Sequence, residues 1–159
     1  MRKFFILLVA VTSMLTLDTF AQQSSEAKKA AAKAKREQLM QTRLELLKTE
    51  LGLTDVQMEK FAPVYRKYRS EIQKATSSNR EARTKKANIT NENALKVVSA
   101  RLTNNILTSA IKQRYLLIFA EVIEPMQVMK LYNVDSKISK EASKIMKYRN
   151  TATSMDKKR

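Results

Sequence analysis

Residues that break regular structure are almost missing from this chain. Its 159 residues include one glycine, Gly52, and two prolines, Pro63 and Pro125. A β-rich fold needs many tight turns, and glycine and proline are the residues that make them. No segment alternates β-branched and polar residues to build a sheet. Strong helix formers dominate instead: Ala, Leu, Lys, Arg, Glu and Gln. The expectation is an all-α fold of about four long helices that reverses direction at few places.

The chain begins with a charged Met1-Arg2-Lys3, followed by a mostly apolar run from Phe4 to Leu17 and then Thr19-Phe20-Ala21. This is the layout of a secretory signal peptide cut after Ala21. The apolar run is shorter than the roughly 20 residues a spanning helix needs, and Asp18 ends it. Residues 1–21 are therefore read as a cleaved leader and the mature chain as exported. The domain reading continues with a Lys/Ala-rich helix or flexible segment at 22–38, a helical domain at 39–149 and a basic disordered tail at 150–159.

Helical periodicity defines four segments. The first covers about 26–50. Its start is rich in Lys and Ala with little to bury; its second half carries Leu39, Met40, Leu44, Leu47 and Leu51 on one face. Gly52 stops it where a left-handed residue is often needed. The second helix begins at Thr54 with the apolar stripe Phe61, Val64, Tyr65, Tyr68, Ile72 and Ala75. Pro63 lies inside that pattern, where a bend or a tightened turn is expected. A polar, basic stretch follows to Asn91, which can cap the third helix over about 92–123. That helix has two seams: Leu95, Val98, Leu102, Ile106, Ala110, Gln113, Leu117 and Ala120 in one, and Leu107, Ile111, Tyr115, Ile118 and Val122 in the other. Its end is apolar nearly all round, as for burial between several helices or at a dimer interface. The fourth helix places Val128, Leu131, Asp135, Ile138, Ala142 and Ile145 on one face.

Two related phrases punctuate these helices. Leu53-Thr54-Asp55-Val56-Gln57 has the spacing of a capping box. The Thr54 hydroxyl can accept the Gln57 N–H, and the Gln57 side chain can reach back to the Thr54 N–H. Leu53 and Met58 can add the hydrophobic staple. Ile123-Glu124-Pro125-Met126-Gln127 is a weaker copy 70 residues later. There Pro125 stands at the first helical position, where its missing N–H costs nothing, and Gln127 can make the return bond. Helix–turn–helix, basic connector, helix–turn–helix is the implied organisation, in two degenerate halves.

Several chemistries lack their residues. Histidine and cysteine are absent, which removes the usual general base and the commonest metal ligands, so no metal site is expected. A single glycine cannot build a nucleotide-cradling loop. No paired carboxylates or Ser–Lys arrangement stands out, so neither enzymatic activity nor a cofactor is expected. The net charge is +16, and loss of Arg2, Lys3 and Asp18 with the leader hardly changes it. Such an excess points to an anionic partner. Export argues against nucleic acid.

At the two capping phrases the chain resembles the Spy/CpxP-related periplasmic proteins, whose Leu-Thr-x-x-Gln motif normally occurs twice. The first copy here matches fully; the second keeps the apolar lead residue and Gln127. The resemblance spans roughly residues 39–147. It implies bent antiparallel helical hairpins that pair into a thin, cradle-shaped homodimer with a basic, partly apolar concave face. It also implies an ATP-independent chaperone, or an accessory inhibitor of an envelope-stress sensor. Relatives that bind metal do so through histidines, which this chain lacks.

Leu53, Thr54, Gln57, Ile123, Pro125 and Gln127 are accordingly read as structural. Phe61, Tyr65 and Tyr68 are read as core or, in a thin cradle, as contacts for unfolded clients. Arg66, Lys67, Arg69, Lys74, Arg80, Arg83, Lys85 and Lys86 are read as a solvated face or as a surface that draws acidic segments of unfolded proteins. Lys137, Lys140, Lys144, Lys147 and Arg149 form a second basic set. The alternative is an envelope-associated structural or regulatory protein that binds anionic lipid, lipopolysaccharide or a membrane sensor.

Overall fold

A computed structural model describes the backbone of residues 2–156 and the side chains of 26–149 and 151. It contains four α-helices: α1 (Arg2–Leu51), α2 (Asp55–Ser78), α3 (Ala94–Ala120) and α4 (Pro125–Asp156). Two short 3-10 turns, Glu81–Arg83 and Lys86–Asn88, lie between α2 and α3. No strand occurs among the described residues. The all-α expectation therefore holds. α1 runs unbroken through the Lys/Ala-rich segment, where every residue from 26 to 38 is exposed. The leader's side chains and its cleavage point lie outside the described side chains. α4 is helical to Asp156, well into the stretch expected to be a disordered tail, and residues 157–159 lie outside the described residues.

The reversal at Gly52 is built from local bonds. Gly52 has φ +63°, the left-handed region that its lack of a Cβ permits. The Gly52 N–H donates to the Thr49 carbonyl (3.3 Å) and the Leu53 N–H to the Lys48 carbonyl (3.0 Å). That pair is a Schellman motif, with Leu53 buried beneath it. Thr54 then caps α2: its hydroxyl accepts the Gln57 N–H at 3.2 Å, and Gln57 Oε1 accepts the Thr54 N–H at 3.0 Å. The second turn keeps half of this device. Gln127 Oε1 accepts the Glu124 N–H at 3.0 Å, and Pro125 opens α4.

The two turns meet. Gln57 Nε2 donates to Gln127 Oε1 at 3.1 Å, and Gln127 Nε2 donates to the Leu51 carbonyl at 3.3 Å, satisfying one of the orphan carbonyls at the end of α1. Tyr65 and Asp135 are bonded at the same separation of 70 residues. An equal offset at both points means that α2 and α4 run parallel and in register. The halves also interlock: α1 packs chiefly on α4 and α2 on α3, with less contact inside each hairpin.

The core lies between the helices near the turns. Leu44, Leu47 and Leu51 of α1 meet Phe61, Tyr65 and Tyr68 of α2, Tyr115 and Phe119 of α3, and Val128, Leu131 and Ile138 of α4. Phe119 is fully buried and lies within 5.5–5.8 Å, centroid to centroid, of Phe61, Tyr68 and Tyr115. Each such side chain contributes roughly 1.5–3 kcal/mol by burial, and each aromatic pair adds about 0.5–1.5 kcal/mol.

The connector differs from its reading in one respect. The residue at the start of α3 is Asn93, not Asn91, and its side chain does not cap the helix. Asn93 Oδ1 accepts the Thr90 N–H and its Nδ2 donates to the Asn88 carbonyl, so the side chain shapes the incoming turn instead. Arg101 of α3 donates to the carbonyls of Thr84 and Ala82, and Asn79 to that of Ala100, so the connector is held against α3.

Candidate functional site

α3 presents opposite faces of opposite character. Val97, Tyr115 and Phe119 point inward. At 100° per residue, Leu95, Val98, Leu102, Ile106 and Leu117 fall on the far side. They are exposed, Leu95 to 82%, Ile106 to 69% and Leu117 to 72%. Of the two seams legible in the sequence, the second turns to the core through Ile111, Tyr115, Ile118 and Val122, with Leu107 at its exposed edge. The first leaves Leu95, Val98, Leu102 and Ile106 as an exposed apolar strip, with Ala110 and Gln113 separating it from Leu117 near the end of α3.

At the C-terminal end of α3 a groove of about 420 Å³ opens between α3 and α4. Leu116 and Leu117 form one wall, and Met129 and Tyr132 line the other. Met126 and Met129 are themselves exposed. Methionine is unbranched and polarisable, which suits a surface that must fit more than one partner shape. Within this chain the apolar end of α3 is thus half core and half surface.

The aromatic stripe of α2 is core. Phe61 and Tyr65 are fully buried and Tyr68 nearly so, which removes them from any contact surface of this chain. Burial raises the hydroxyl pKa of Tyr65 and Tyr68, with the nearby Asp135 charge a further cause in both. Burial pushes Tyr132 up to about 12.

The eight basic residues separate into three groups. Arg66 pairs with Glu37 of α1 at 2.8 Å, and Arg69 with Asp135 of α4 at 3.1 Å; both serve to join helices. Lys67 and Lys74 are exposed on α2. Arg80, Arg83, Lys85 and Lys86 are exposed on the connector, and the 3-10 turn that contains Arg83 packs against α3. The connector cations therefore sit near the start of the α3 strip.

A polar centre that the motif reading missed lies at the middle of the helices. Asp135 is buried on the apolar face of α4. Its Oδ1 accepts the Tyr65 hydroxyl at 2.6 Å and its Oδ2 accepts Arg69 Nη1 at 3.1 Å. Arg43 of α1 stands close by. Its guanidinium pKa is lowered by burial first and by the like charge of Arg69 second. The signal for this centre was in the sequence: a carboxylate in the seam Val128, Leu131, Asp135, Ile138 needs cationic or hydroxyl partners, since burying a charge unpaired is costly.

Among the described residues no group of three or more acidic side chains could hold a metal ion, and no helix is long and apolar enough to cross a membrane. Comparison of the chain with models of protein families, with curated proteins and with solved structures finds no match.

Proposed function

We propose that this chain is an exported, non-enzymatic, ATP-independent chaperone of the Spy/CpxP kind that holds unfolded proteins in the periplasm. The observation that carries the reading is the outward apolar surface of α3, Leu95 to Ile106 at one end and Leu117 in the Met-lined groove at the other. Contiguous exposed apolar surface of this kind marks an interaction site. Unfolded chains offer apolar segments to such a strip without a defined shape. The connector cations Arg80, Arg83, Lys85 and Lys86 draw acidic segments toward it, so charge speeds the encounter and the strip retains the client. The motif residues hold the two turns together and do not touch clients. The reading includes a homodimer, as the resemblance implies.

The test is light scattering from an aggregating, chemically unfolded protein, with residues 22–159 added without nucleotide at low and moderate salt. Dose-dependent suppression that weakens with salt is expected, because exposed charges are screened over roughly 10 Å at about 0.1 M. The double variant L102E/I106E alters only exposed positions, so its stability is expected to stay within about 0.5 kcal/mol of the parent for each change while suppression is lost. Absence of suppression by the folded parent at any ratio defeats the proposal. A monomer-sized species that still suppresses aggregation removes the dimer and leaves the chaperone.

A second reading has its own observation. The whole of 26–38 is exposed helix carrying Lys28, Lys29, Lys33, Lys35 and Arg36, which suits attraction to an anionic lipid surface. Sedimentation with anionic vesicles, without aggregation suppression, selects an envelope-associated role. Capture of one specific membrane sensor selects a regulatory one.

A further inference from the structure

The polar centre borders a cavity of about 610 Å³ to which all four helices contribute. Arg43 comes from α1, Arg69 from α2, Lys112 from α3, and Asp135, Ser139 and Lys140 from α4. Four cationic residues and one carboxylate thus line the cavity. Both oxygens of that carboxylate are already engaged, by the Tyr65 hydroxyl and by Arg69. Arg43 Nε, Arg69 Nε and Ser139 Oγ are buried and have no hydrogen-bond partner among the described residues. Buried polar atoms are nearly always satisfied, so three unpartnered atoms on side chains that line one cavity call for an explanation. Gathering like charges at one place among packed helices also costs free energy unless an opposite charge joins them.

We propose that this cavity binds a phosphate group, either as a free phosphate monoester or as a phosphorylated lipid headgroup. The chemistry fits. Guanidinium forks match the paired oxygens of a phosphate, and ammonium groups add point charge. A phosphate dianion offsets most of the excess of three positive charges. The cavity is larger than a bare phosphate, which leaves space for a polar substituent. Thr108 and Lys112 on the cavity side of α3 lie on the face away from the apolar strip, so this site does not depend on the chaperone reading and its test stands or fails separately.

Because every helix contributes, a bound phosphate ties them together and stabilises the fold by mass action. Thermal unfolding is to be followed with sodium phosphate, with glycerol phosphate, and with phosphatidylglycerol or phosphatidylcholine vesicles, each against sodium chloride of equal ionic strength. At about 10 mM, tenfold above a Kd of about 1 mM, Tm is expected to rise by about 4 °C. A rise with sodium phosphate or glycerol phosphate assigns the site to free phosphates. A rise with phosphatidylglycerol vesicles alone, absent with phosphatidylcholine, assigns it to a headgroup. Two variants separate ligand binding from folding. R43Q removes a half-buried charge whose buried Nε has no hydrogen-bond partner, so its Tm without phosphate is expected to equal or exceed that of the parent while the phosphate response is lost. K140Q changes an exposed position and is expected to weaken the response several-fold with the basal Tm unchanged. No Tm rise beyond the chloride control in any arm overturns the proposal, as does an undiminished response in both variants.

Discussion

At the scale of single residues, two positions hold more of the structure than their size suggests. Gly52 adopts a left-handed conformation in open space, since a Cβ built there meets nothing within 4 Å. Gly52→Ala therefore introduces backbone strain without a clash, and a loss of about 1 kcal/mol is expected in urea unfolding. Gly52→Asn should lose less, because asparagine tolerates this region better. Tyr65→Phe keeps the aromatic packing but removes the donor to buried Asp135, for an expected loss of about 1–3 kcal/mol. Asp135→Ala should cost more, about 3–5 kcal/mol, because it strands Arg69. Sequence pattern made Gly52 legible, since a helix terminator is a local feature. Asp135 was visible on the apolar face of α4, yet its partners Tyr65 and Arg69 lie 70 and 66 residues away, and helical periodicity carries no information about such pairs.

At the scale of elements, the capping phrases do two jobs. Each closes its own turn, and Gln57 and Gln127 bond the turns to each other. Gln127→Ala removes three hydrogen bonds and is expected to cost about 2–4 kcal/mol; Gln57→Ala is expected to cost about 1–2 kcal/mol. The double variant should cost less than the sum by about 1 kcal/mol, since the shared bond is counted in both single changes. Additivity within a few tenths would show that the bond between turns contributes nothing. The reciprocal cap at Thr54 and the return bond at Gln127 could be read from spacing alone. The bond between them could not, because nothing local to either phrase says that the other is adjacent. The same limit applies to α3. Two apolar seams were evident in its sequence, but which one faces inward is decided by the aromatic residues of α2 that Tyr115 and Phe119 must meet. Leu95, Leu102 and Ile106 have equally apolar side chains and lose that competition by position.

At the scale of the molecule, burial of tyrosine hydroxyls links stability to pH. Tyr65, Tyr68, Tyr115 and Tyr132 all have raised pKa values, with burial as the main cause. A raised pKa means that the fold favours the neutral phenol. Stability from this source is fully present below the unfolded value near 10 and is lost as pH rises beyond it, for Tyr132 between about 10 and about 12. Urea unfolding at pH 7–9 should be insensitive to these groups. From about pH 10 each fully buried tyrosine should remove about 1.4 kcal/mol per pH unit while it stays protonated in the fold. Lysines lose charge over the same range and relieve repulsion in this basic chain, so the comparison that isolates the phenol is Tyr65→Phe, which should flatten the alkaline limb. A limb of unchanged slope in that variant would exclude Tyr65 as its source.

The pairing of α1 with α4 and of α2 with α3 has a consequence for how the chain holds together once it is broken. Each hairpin buries its apolar residues chiefly against the other hairpin, so neither half has a core of its own. The connector between them is exposed at Arg83, Lys85 and Lys86, three sites trypsin can cut. A chain nicked there should stay in one particle on gel filtration and separate only in denaturant, while each isolated fragment should be largely unstructured and regain helicity when mixed with its complement. Two intact chains could make the same exchange, one chain's first hairpin closing on the other's second, and produce an interlaced pair with no contact that is new.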